Sequence, residues 1–386
     1  MHCTKKILDD LIWVGANDRR LAMFEGVYSV PDGVSYNSYL LLDDSTVLFD
    51  TVDKAVSDKF FQNLEYALGG RHLDFLVIQH MEPDHSATLA ELLLRYPDVT
   101  IVCNEKIVAM IDQFFHLDIS KKAFVVKEGT TMNTGRHNLQ FVMAPMVHWP
   151  EVMVTYDSTD KILFSADAFG KFGALDVEED WACEARRYYF GIVGKYGMQA
   201  GNMLKKAADL DIQTICPLHG PILSENLDYY LNLYATWTSY GVESEGVFIA
   251  YASIYGHTAE AAKCLASKLE EKGIKASIAD LAREDMAEAV EDAFRYGKLV
   301  LACNTYNNSI NPFMQDFINR LVERNYQKRT IAFIENGSWA PMAAKVMKGM
   351  LEGCKELTFT ENTVTILSAM KAADEEKIAA LAEELA

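Results

Sequence analysis

The last third of the chain alternates strictly between apolar runs that predict strands and longer segments that predict helices. The predicted strands are VFIAYAS, KASIAD, KLVLACNTY, RTIAFIENG and LTFTENTVTIL, and a helical segment follows each of them. Parallel strands joined by right-handed helical crossovers form a doubly wound sheet, which binds its ligand beyond the carboxyl ends of the strands. This region is therefore predicted to be a doubly wound α/β domain with a site at that edge.

The first two-thirds of the chain have a different pattern. Many short apolar runs, such as VSYNSYLLL, STVLFD, VTIVCNE, LQFVMAP and VMVTYD, are interleaved with a few helical segments. This mixture predicts a two-sheet α/β sandwich flanked by helices. Because 386 residues exceed one ordinary core, two domains are expected. We place the boundary at GVESEG, which gives domains 1–245 and 246–386.

The composition excludes several classes of partner. A formal charge of −19 disfavours nucleic acid and anionic membrane surfaces, which require basic faces. We find no signal peptide and no apolar run of membrane-spanning length. Seven widely spaced cysteines, without a CxxC pair, suit reduced thiols and a cytoplasmic location. The chain therefore carries no recognisable rubredoxin-like or iron–sulfur module.

Metal-competent side chains follow the predicted strands of the first region. The segment HMEPDH places His80, Glu82, Asp84 and His85 directly after the apolar run LDFLVIQ, and Asp84 or Ser86 is the expected N-cap of the next helix. Further along the chain, three side chains also stand at strand ends: His148, Asp167 and His219. A lone histidine is more often a packing group, and such a turn can simply be solvated. Their joint placement nevertheless predicts a metal site.

The second region carries a phosphate cradle. Its first strand ends in SIYGHTAE, where hydroxyls and backbone N–H groups meet a helix N-terminus without a Walker lysine or a GxGxxG fingerprint. A mononucleotide with one phosphate fits best, and flavin mononucleotide (FMN) is predicted, although aromatics such as Tyr306 often serve packing alone. The predicted contacts come from three strand ends: Ser253, Ile254, Tyr255, Gly256, His257, Thr258, Thr305, Tyr306, Asn307, Asn336, Gly337, Ser338 and Trp339.

The metal series resembles that of the metallo-β-lactamase fold, whose hydrolases carry HxHxDH, a further His, a bridging Asp and a last His. Glu82 departs from this pattern, because it replaces an imidazole with a harder, negatively charged ligand. Zinc accepts both ligand types. Mixed histidine and carboxylate sites with a bridging carboxylate favour iron, so the glutamate suits a redox metal.

Both constellations together resemble a flavodiiron protein over essentially the whole chain. The motifs HMEPDH, MVHWPE, FSADAFG, CPLHG and SIYGHTAE occur in that family's order. The resemblance implies an N-terminal metallo-β-lactamase-like αββα sandwich followed by a flavodoxin-like doubly wound parallel sheet. It also implies FMN and two iron ions per chain. This chain has Val152 where relatives often have Ser, and Asn304 where they often have Pro. The two differences would affect the surroundings of the metals or the tuning of the flavin, and they leave the assignment intact.

The ligand roles follow from this resemblance alone. It implies that His80, Glu82 and His148 bind one iron. Asp84, His85 and His219 would bind the other iron, and Asp167 would bridge the two. Tyr188 or Tyr189 would donate a hydrogen bond or proton near the irons, although aromatic packing explains them equally well.

The implied activity is reduction of dioxygen to water, which protects an anaerobic cell from oxygen, with reduction of nitric oxide to nitrous oxide as the alternative. Electrons would come from a rubredoxin or another small donor, or from a reduced deazaflavin coenzyme. A head-to-tail homodimer, and possibly a tetramer, would bring one chain's flavin to the other's irons. Two other classes stay open: a zinc hydrolase with a flavodoxin-like module, and an electron carrier whose first domain is only a scaffold.

Overall fold

The computed structural model describes residues 2–386, which form two compact units. One unit extends to Ala235 and the other comprises Thr236–Ala386. The predicted boundary between residues 245 and 246 lies further along the chain, within the strand Ser244–Ala252. No helix among the described residues combines the length and the apolar composition needed to cross a membrane.

The first unit contains two large sheets and two short hairpin-like pairs. The larger sheet has seven strands, in spatial order Lys5–Lys6, Leu11–Trp13, Tyr39–Leu42, Thr46–Phe49, Phe75–Val77, Thr100–Cys103 and Ala123–Val125. The smaller sheet has five strands, in spatial order Thr131–Asn133, Asn138–Met143, Met153–Asp157, Ile162–Phe164 and Thr214–Cys216. The short pairs join Ala16–Asp18 to Val34–Tyr36 and Met23–Phe24 to Tyr28–Ser29.

The core of the first unit lies between its two sheets. Buried residues of the larger sheet, such as Phe49 and Val77, pack with buried residues of the smaller one, such as Phe141 and Phe164. The rings of Phe49 and Phe164 stack at 3.8 Å between centroids. Burial of these apolar faces stabilises the sandwich, since each side chain removed from water contributes roughly 1.5–3 kcal/mol. The predicted two-sheet sandwich is confirmed.

Helices occupy the connections of the first unit, and the last of them contains the division between the units. The α-helices are Ser57–Leu68, Pro83–Ser86, Leu89–Arg95, Glu105–Phe115, Trp181–Tyr188, Gly197–Ala207 and Leu227–Thr238. A π-helical turn, Tyr189–Val193, continues the helix Trp181–Tyr188. Short 3-10 turns occur at Lys54–Val56 and Gly194–Tyr196.

The second unit is the predicted doubly wound parallel sheet. Its strands lie in the spatial order Ala276–Asp280, Ser244–Ala252, Tyr296–Tyr306, Thr330–Asn336 and Thr358–Ile366, and all neighbouring pairs are parallel. The short strand Ser309–Ile310 turns back antiparallel to the third strand. Five helices follow the strands: His257–Glu271, Met286–Arg295, Pro312–Glu323, Ala343–Met350 and Ala372–Glu384.

The register of this sheet positions its loops. Ala252 pairs with Cys303, and Cys303 pairs with Glu335, so the strands that end at Ala252 and Asn336 end at nearly the same level, while the strand between them continues to Tyr306. The first and third strands in sequence are neighbours, which makes this edge the switch point where connections leave in opposite directions. The segments after these strands therefore meet at one place.

The predicted N-cap, Asp84 or Ser86, is wrong, because the helix Leu89–Arg95 has Thr88 at its N-cap and a separate short helix, Pro83–Ser86, precedes it. Glu82 has the cap conformation, with φ −57° and ψ 140°, and Pro83 is the first helical residue. Proline's fixed φ suits that position and needs no N–H donor. Asp84 and Ser86 therefore lie inside the helix, and neither side chain caps its N-terminus.

Candidate metal centre and flavin site

Seven metal-competent side chains converge at one end of the sandwich in the first unit. They come from the turn after Phe75–Val77 and from three later loops: His80, Glu82, Asp84, His85, His148, Asp167 and His219. All are buried except Glu82, whose side chain is 14% exposed. Because strand ends hold these loops, the side chains have little freedom to separate.

The ligand atoms form two groups. In the first, Glu82 Oε2 lies 2.9 Å from His148 Nε2 and 3.3 Å from His80 Nε2. In the second, His219 Nε2 lies 3.0 Å from His85 Nε2 and 3.1 Å from Asp84 Oδ2. The structure thus separates the seven residues into the two sets that the sequence resemblance implied, with Asp167 left to join them.

Asp167 places one carboxylate oxygen at each group. Its Oδ2 lies 3.1 Å from His148 Nε2 and 3.4 Å from His80 Nε2. Its Oδ1 lies 3.1 Å from His85 Nε2 and 3.9 Å from His219 Nε2. A carboxylate in this position can bridge two cations.

These distances fit ligands that share a metal ion. Two atoms that each bind a metal at about 2.1 Å lie about 3.0 Å apart at a right angle and about 3.4 Å apart at a tetrahedral angle. Among the described residues, both oxygens of Asp84 and Asp167, and Nε2 of His148, are buried without a hydrogen bond of acceptable geometry. Buried acceptors of this kind are costly unless a cation satisfies them. The donor set therefore fits a pair of metal ions.

Two further groups orient the histidines. The His80 Nδ1 lies 2.8 Å from Oε1 of the buried Glu151, which also accepts from the backbone N–H of Met81. The His219 Nδ1 lies 2.8 Å from the carbonyl oxygen of Ser35. When Nδ1–H donates to such a partner, Nε2 carries the lone pair that binds metal. The sequence analysis assigned no role to Glu151 or Ser35, although Glu151 stands only three residues after His148.

The electrostatics of the centre agree with a cation site. Burial disfavours charge on the histidines, but the neighbouring carboxylates, Asp167 foremost for His80, outweigh it and raise the pKa of His80. The same balance raises the pKa of His148 to about 9. Despite burial, His148 and His80 lower the pKa of Glu82. The carboxylates thus create a negative field at the ring nitrogens.

Aromatic rings surround the His219 side of the centre. Phe24 lies edge-on to His219 with centroids 5.4 Å apart, and Tyr188 lies 5.5 Å from the same ring. Burial, with Asp167, Asp84 and Glu82, raises the pKa of Tyr188 well above its usual range, so it remains a phenol. Tyr189 instead packs against Phe190 and Tyr234. The structure therefore places Tyr188 beside the predicted ligand His219.

Glu25 also reaches the centre, and the sequence analysis missed it. The residue stands at the tip of a short hairpin and is exposed, with its carboxyl group near that of Glu82. Burial and the Glu82 charge raise the pKa of Glu25 to about 7. The hairpin segment FEG lies far from the other ligands in sequence, so spacing gives no signal for this contact.

In the second unit, a cavity of about 560 Å³ opens at the carboxyl ends of the central strands. All the predicted FMN contacts line it except Gly256 and Tyr306. Four further residues line the cavity: Asn304, Asn308, Ala340 and Ser368. This volume lies within the usual range of small-molecule sites, about 300–1,000 Å³.

The loop 253–258 fits a phosphate group. Gly256 caps the helix His257–Glu271 with φ 96°, a conformation that glycine adopts without strain, and its N–H donates to Ser253 Oγ at 3.1 Å. A Cβ at Gly256 would meet nothing within 4 Å, so the space beside this helix N-terminus is open. The first N–H groups of a helix favour a phosphate in such a place.

Asn336 is one of the predicted FMN contacts, and its amide group is already hydrogen-bonded within the protein. Its Nδ2 donates to the carbonyl oxygen of Ser368 at 2.8 Å, and its Oδ1 accepts from the Ser368 N–H at 3.2 Å. Asn336 lines the cavity and ties two loops together. The Asn336 amide group therefore fixes the loop of Ser368 beside the cavity.

Comparisons with known proteins agree with both sites. A family model described as ODP family beta lactamase matches residues 34–220, and a flavodoxin model matches residues 249–378. The nitric oxide reductase of Moorella thermoacetica is 30% identical over 365 residues, which is 90% of each chain. The anaerobic nitric oxide reductase flavorubredoxin of Salmonella paratyphi A is 30% identical and covers 86% of this chain and 72% of that protein.

Solved structures extend the likeness to the whole chain. Rubredoxin oxygen:oxidoreductase from the anaerobe Desulfovibrio gigas has a TM-score of 0.92 and 25% identity over 99% of this chain and 98% of that one. A mutant flavo di-iron protein from Thermotoga maritima has a TM-score of 0.88 and 26% identity over 99% of this chain and 97% of that one.

The chain belongs to the flavodiiron protein family, and the predicted fold class is confirmed. Members of this family are oxidoreductases, so the enzyme class is confirmed as well. The predicted cofactors, FMN and two iron ions per chain, are those of the family, and both sites fit them. The roles of individual residues stay predictions.

Proposed function

We propose that this protein reduces dioxygen to water, with electrons that arrive through FMN. The observation that carries the proposal is the placement of Asp167, whose two oxygens face two separate groups of buried ligands. When bound, two ferrous ions and one reduced FMN supply the four electrons that convert dioxygen and four protons into two water molecules. A complete four-electron supply avoids release of peroxide.

The proposed ligand roles are those that the contacts favour. His80, Glu82 and His148 hold one iron, and Asp167 bridges it to the second. Asp84, His85 and His219 complete the second site. Glu151 and Ser35 fix His80 and His219 with Nε2 towards the metals, as their contacts with the two Nδ1 atoms indicate.

Tyr188 is the proposed hydrogen-bond donor on the His219 side of the centre. Its position beside Phe24, Phe172 and His219 places a buried phenol in an otherwise apolar wall. Such a wall admits small uncharged gases and limits the entry of water. Tyr189, which contacts Phe190 and Tyr234, supports this wall by packing.

The flavin cavity is the proposed entry point for electrons from a rubredoxin or another small donor. Tyr255 and Trp339, at its rim, are 89% and 82% exposed, and Ile254 is 43% exposed. An uncovered apolar rim of this kind supports a head-to-tail homodimer in which a second chain covers the flavin. The protein would work in the cytoplasm as such a dimer or as a tetramer of two dimers.

Nitric oxide reduction is the second candidate, because relatives that are 30% identical carry that name. Two nitric oxide molecules, two protons and two electrons give nitrous oxide and water. A bound pair of ferrous ions would supply both electrons without the flavin. The same ligand geometry serves either reaction.

The test compares the two gases on one anaerobic preparation, with electrons supplied by a rubredoxin and its reductase. We expect kcat/KM for dioxygen to exceed kcat/KM for nitric oxide, with no peroxide released. The reverse order would make the protein a nitric oxide reductase. Consumption of neither gas, together with zinc in the protein, would overturn the redox proposal in favour of a hydrolase.

A further inference from the structure

His219 stands in a short buried loop, residues 217–220, which directly follows the strand Thr214–Cys216. A loop has no hydrogen-bond ladder of its own, so its buried backbone groups need partners from elsewhere in the fold. The segment 35–39, which joins the strands Val34–Tyr36 and Tyr39–Leu42, provides partners for the carbonyl groups of this loop. The position of the His219 imidazole therefore depends on that segment.

Asn37 binds three carbonyl oxygens of the loop. Its backbone N–H donates to the carbonyl oxygen of Leu218 at 2.8 Å. Its side-chain Nδ2 donates to the carbonyl oxygens of Pro217 and Gly220, both at 2.8 Å. One fully buried residue thus holds the backbone on both sides of His219.

Trp13 determines which way the amide group of Asn37 faces. The indole N–H of Trp13 donates to Asn37 Oδ1 at 2.8 Å, and an indole nitrogen can only donate. The oxygen end of the amide must therefore lie at Trp13, and its NH₂ end must face the loop. An aspartate has no N–H for the two carbonyl oxygens, and an apolar side chain would leave buried polar groups without a partner.

The same segment binds the ring of His219. The carbonyl oxygen of Ser35 lies 2.8 Å from His219 Nδ1, and Ser35 Oγ accepts from the Gly220 N–H at 2.7 Å. His219 Nε2 then lies 3.1 Å from Asp84 Oδ2 and 3.0 Å from His85 Nε2. Because ligand distances must hold to within about 0.2 Å, a small shift of this loop is enough to weaken a metal site.

We infer that Asn37 is a positioning residue for His219: its three hydrogen bonds hold the loop so that Nε2 faces the second iron. The inference rests on the proposed metal centre and assigns a role to a residue outside the seven proposed ligands. The iron held by His80, Glu82 and His148 has no histidine from this loop. Loss of the Asn37 side-chain donors should therefore weaken one iron site and leave the other unchanged.

The test uses one substitution at Asn37 and a milder one at its partner. Asn37→Asp keeps the shape of the side chain and replaces the NH₂ group with a carboxylate oxygen. Trp13→Phe removes the N–H that orients the amide and leaves Asn37 itself in place. Full-length protein is loaded anaerobically with ⁵⁷Fe(II), a ferrous chelator then removes the iron, and thermal unfolding records the stability of each variant.

Asn63→Asp is the matched control. Asn63 is also fully buried, its Nδ2 donates to the carbonyl oxygen of Gly15 at 2.8 Å, and its Oδ1 accepts from the Cys3 N–H at 2.7 Å. The substitution therefore places a carboxylate against a backbone carbonyl group, as Asn37→Asp does, but away from the loop of His219.

We expect Asn37→Asp to lose one iron about 10 to 100 times faster than the wild type and to change only one of the two Mössbauer doublets. Trp13→Phe should change the same doublet, with a smaller increase in the rate of iron loss. Asn63→Asp should unfold at a lower temperature than the wild type and still match it in both iron measurements.

Wild-type iron behaviour of Asn37→Asp would overturn the inference and leave the proposed metal centre standing. Equal iron loss in Asn63→Asp, or a change of both doublets in Asn37→Asp, would overturn it too, because the effect would then be general destabilisation. If Asn37→Asp does not fold, wild-type iron behaviour of Trp13→Phe overturns the inference instead. If the wild-type protein itself retains no pair of iron ions, the proposed function fails, and the inference fails with it.

Discussion

The metal centre and the flavin cavity are built in opposite ways. At the metal centre, buried side chains from four loops converge, and their orientation is fixed by partners such as Glu151 and Ser35. At the flavin cavity, loops and backbone N–H groups form an open cleft whose rim residues Tyr255 and Trp339 are mostly exposed. The first site depends on single functional groups, and the second depends on the course of the backbone.

This difference indicates where each site is sensitive. A side-chain substitution at the metal centre removes a donor that no neighbour can replace. At the flavin cavity many contacts share the binding energy, so a side-chain substitution there is partly compensated, while a change in backbone conformation is not.

The largest effect is expected for Asp167→Asn. An amide offers one oxygen and one N–H₂ group, so it cannot bridge two cations as the carboxylate does. Iron content should fall from about two ions per chain to about one or fewer, while FMN content stays unchanged. Metal and flavin analysis of the same sample measures both.

Asp157→Asn is the matched control for Asp167→Asn. Asp157 is also a buried carboxylate of the first unit, but its partner is His137 at 2.7 Å. This variant should retain both irons. Retention of two irons by Asp167→Asn would show that the bridge is dispensable. The metal centre would then not depend on single side chains in the way that distinguishes it from the flavin cavity.

Glu151→Gln should weaken iron binding without abolishing it. Glutamine keeps an acceptor near His80 Nδ1 but loses the negative charge that makes the imidazole a better ligand. Chelator competition should show an affinity lower by about 10- to 100-fold. Glu91→Gln, which removes an exposed carboxylate paired with Arg95 and Lys54, is the control. Equal affinity in both variants would contradict the role of Glu151.

Gly256→Ala tests whether backbone conformation governs flavin binding. At φ 96°, any residue with a Cβ is strained, at a cost of about 1–2 kcal/mol. This strain arises from the backbone, because the space around position 256 is open. If the loop shifts to relieve this strain, FMN affinity falls about tenfold, whereas iron content is unaffected. Quenching of FMN fluorescence on binding measures the affinity.

Gly273→Ala provides the control for Gly256→Ala. Gly273 has φ 76° and equally open surroundings, and it follows the opposite end of the same helix, His257–Glu271. It should show a similar loss of thermal stability with unchanged FMN affinity. If both variants bind FMN equally well, the backbone of the cradle does not decide binding.

A pH effect on stability is expected at His137, which belongs to neither predicted site. His137 is buried, and its Nδ1 and Nε2 lie 2.7 Å from Asp157 Oδ2 and 3.1 Å from Asp10 Oδ2. Burial, together with the nearby charge of Arg136, opposes protonation, but the hydrogen bonds to the two aspartates outweigh both and raise the pKa of His137 to about 9. The imidazolium therefore stabilises the folded first unit.

The sign of the pH dependence follows from this raised pKa. The stabilisation is complete below the unfolded value of 6.5 and is lost as the pH rises through about 9. We expect the unfolding free energy of the wild type to exceed that of His137→Gln by about 2 kcal/mol more at pH 6 than at pH 10. Thermal unfolding of both full-length proteins across this range checks it. A difference independent of pH would contradict the charged state of His137.

The sequence predicted the metal centre better than its surroundings. Each ligand directly follows an apolar strand, so a local pattern locates it, and the parallel arrangement of strand ends brings the ligands together. Glu25 and Ser35 come from hairpin and strand segments whose contacts depend on tertiary packing, for which sequence spacing gives no signal. Glu151 lies only three residues after His148, which is a signal in the sequence. Its proximity alone does not say which role a further carboxylate in a metal motif has.

The fold shows the same limit. Long alternating segments predicted the second unit's sheet, whereas the strands of two or three residues before residue 30 are too short to show a periodic pattern and were not predicted. The helix Ser57–Leu68 was also missed, although its buried residues Phe60, Phe61, Leu64 and Leu68 recur at helical spacing. The N-cap at residue 84 or 86 was wrong because Pro83 begins a separate short helix, and the helix with the apolar positions begins only at Leu89, after Thr88. The amide of Asn336 could not be placed from sequence, since its partner Ser368 lies in a different loop.

The iron, zinc and FMN content of one anaerobically purified sample decides whether this chain carries a pair of irons beside a flavin. The account predicts about two irons and about one FMN per chain, with the iron held by the buried side chains and the flavin released more easily on dilution. Zinc in place of iron, with no flavin after careful handling, would contradict it, and Glu82 would then belong to a hydrolase.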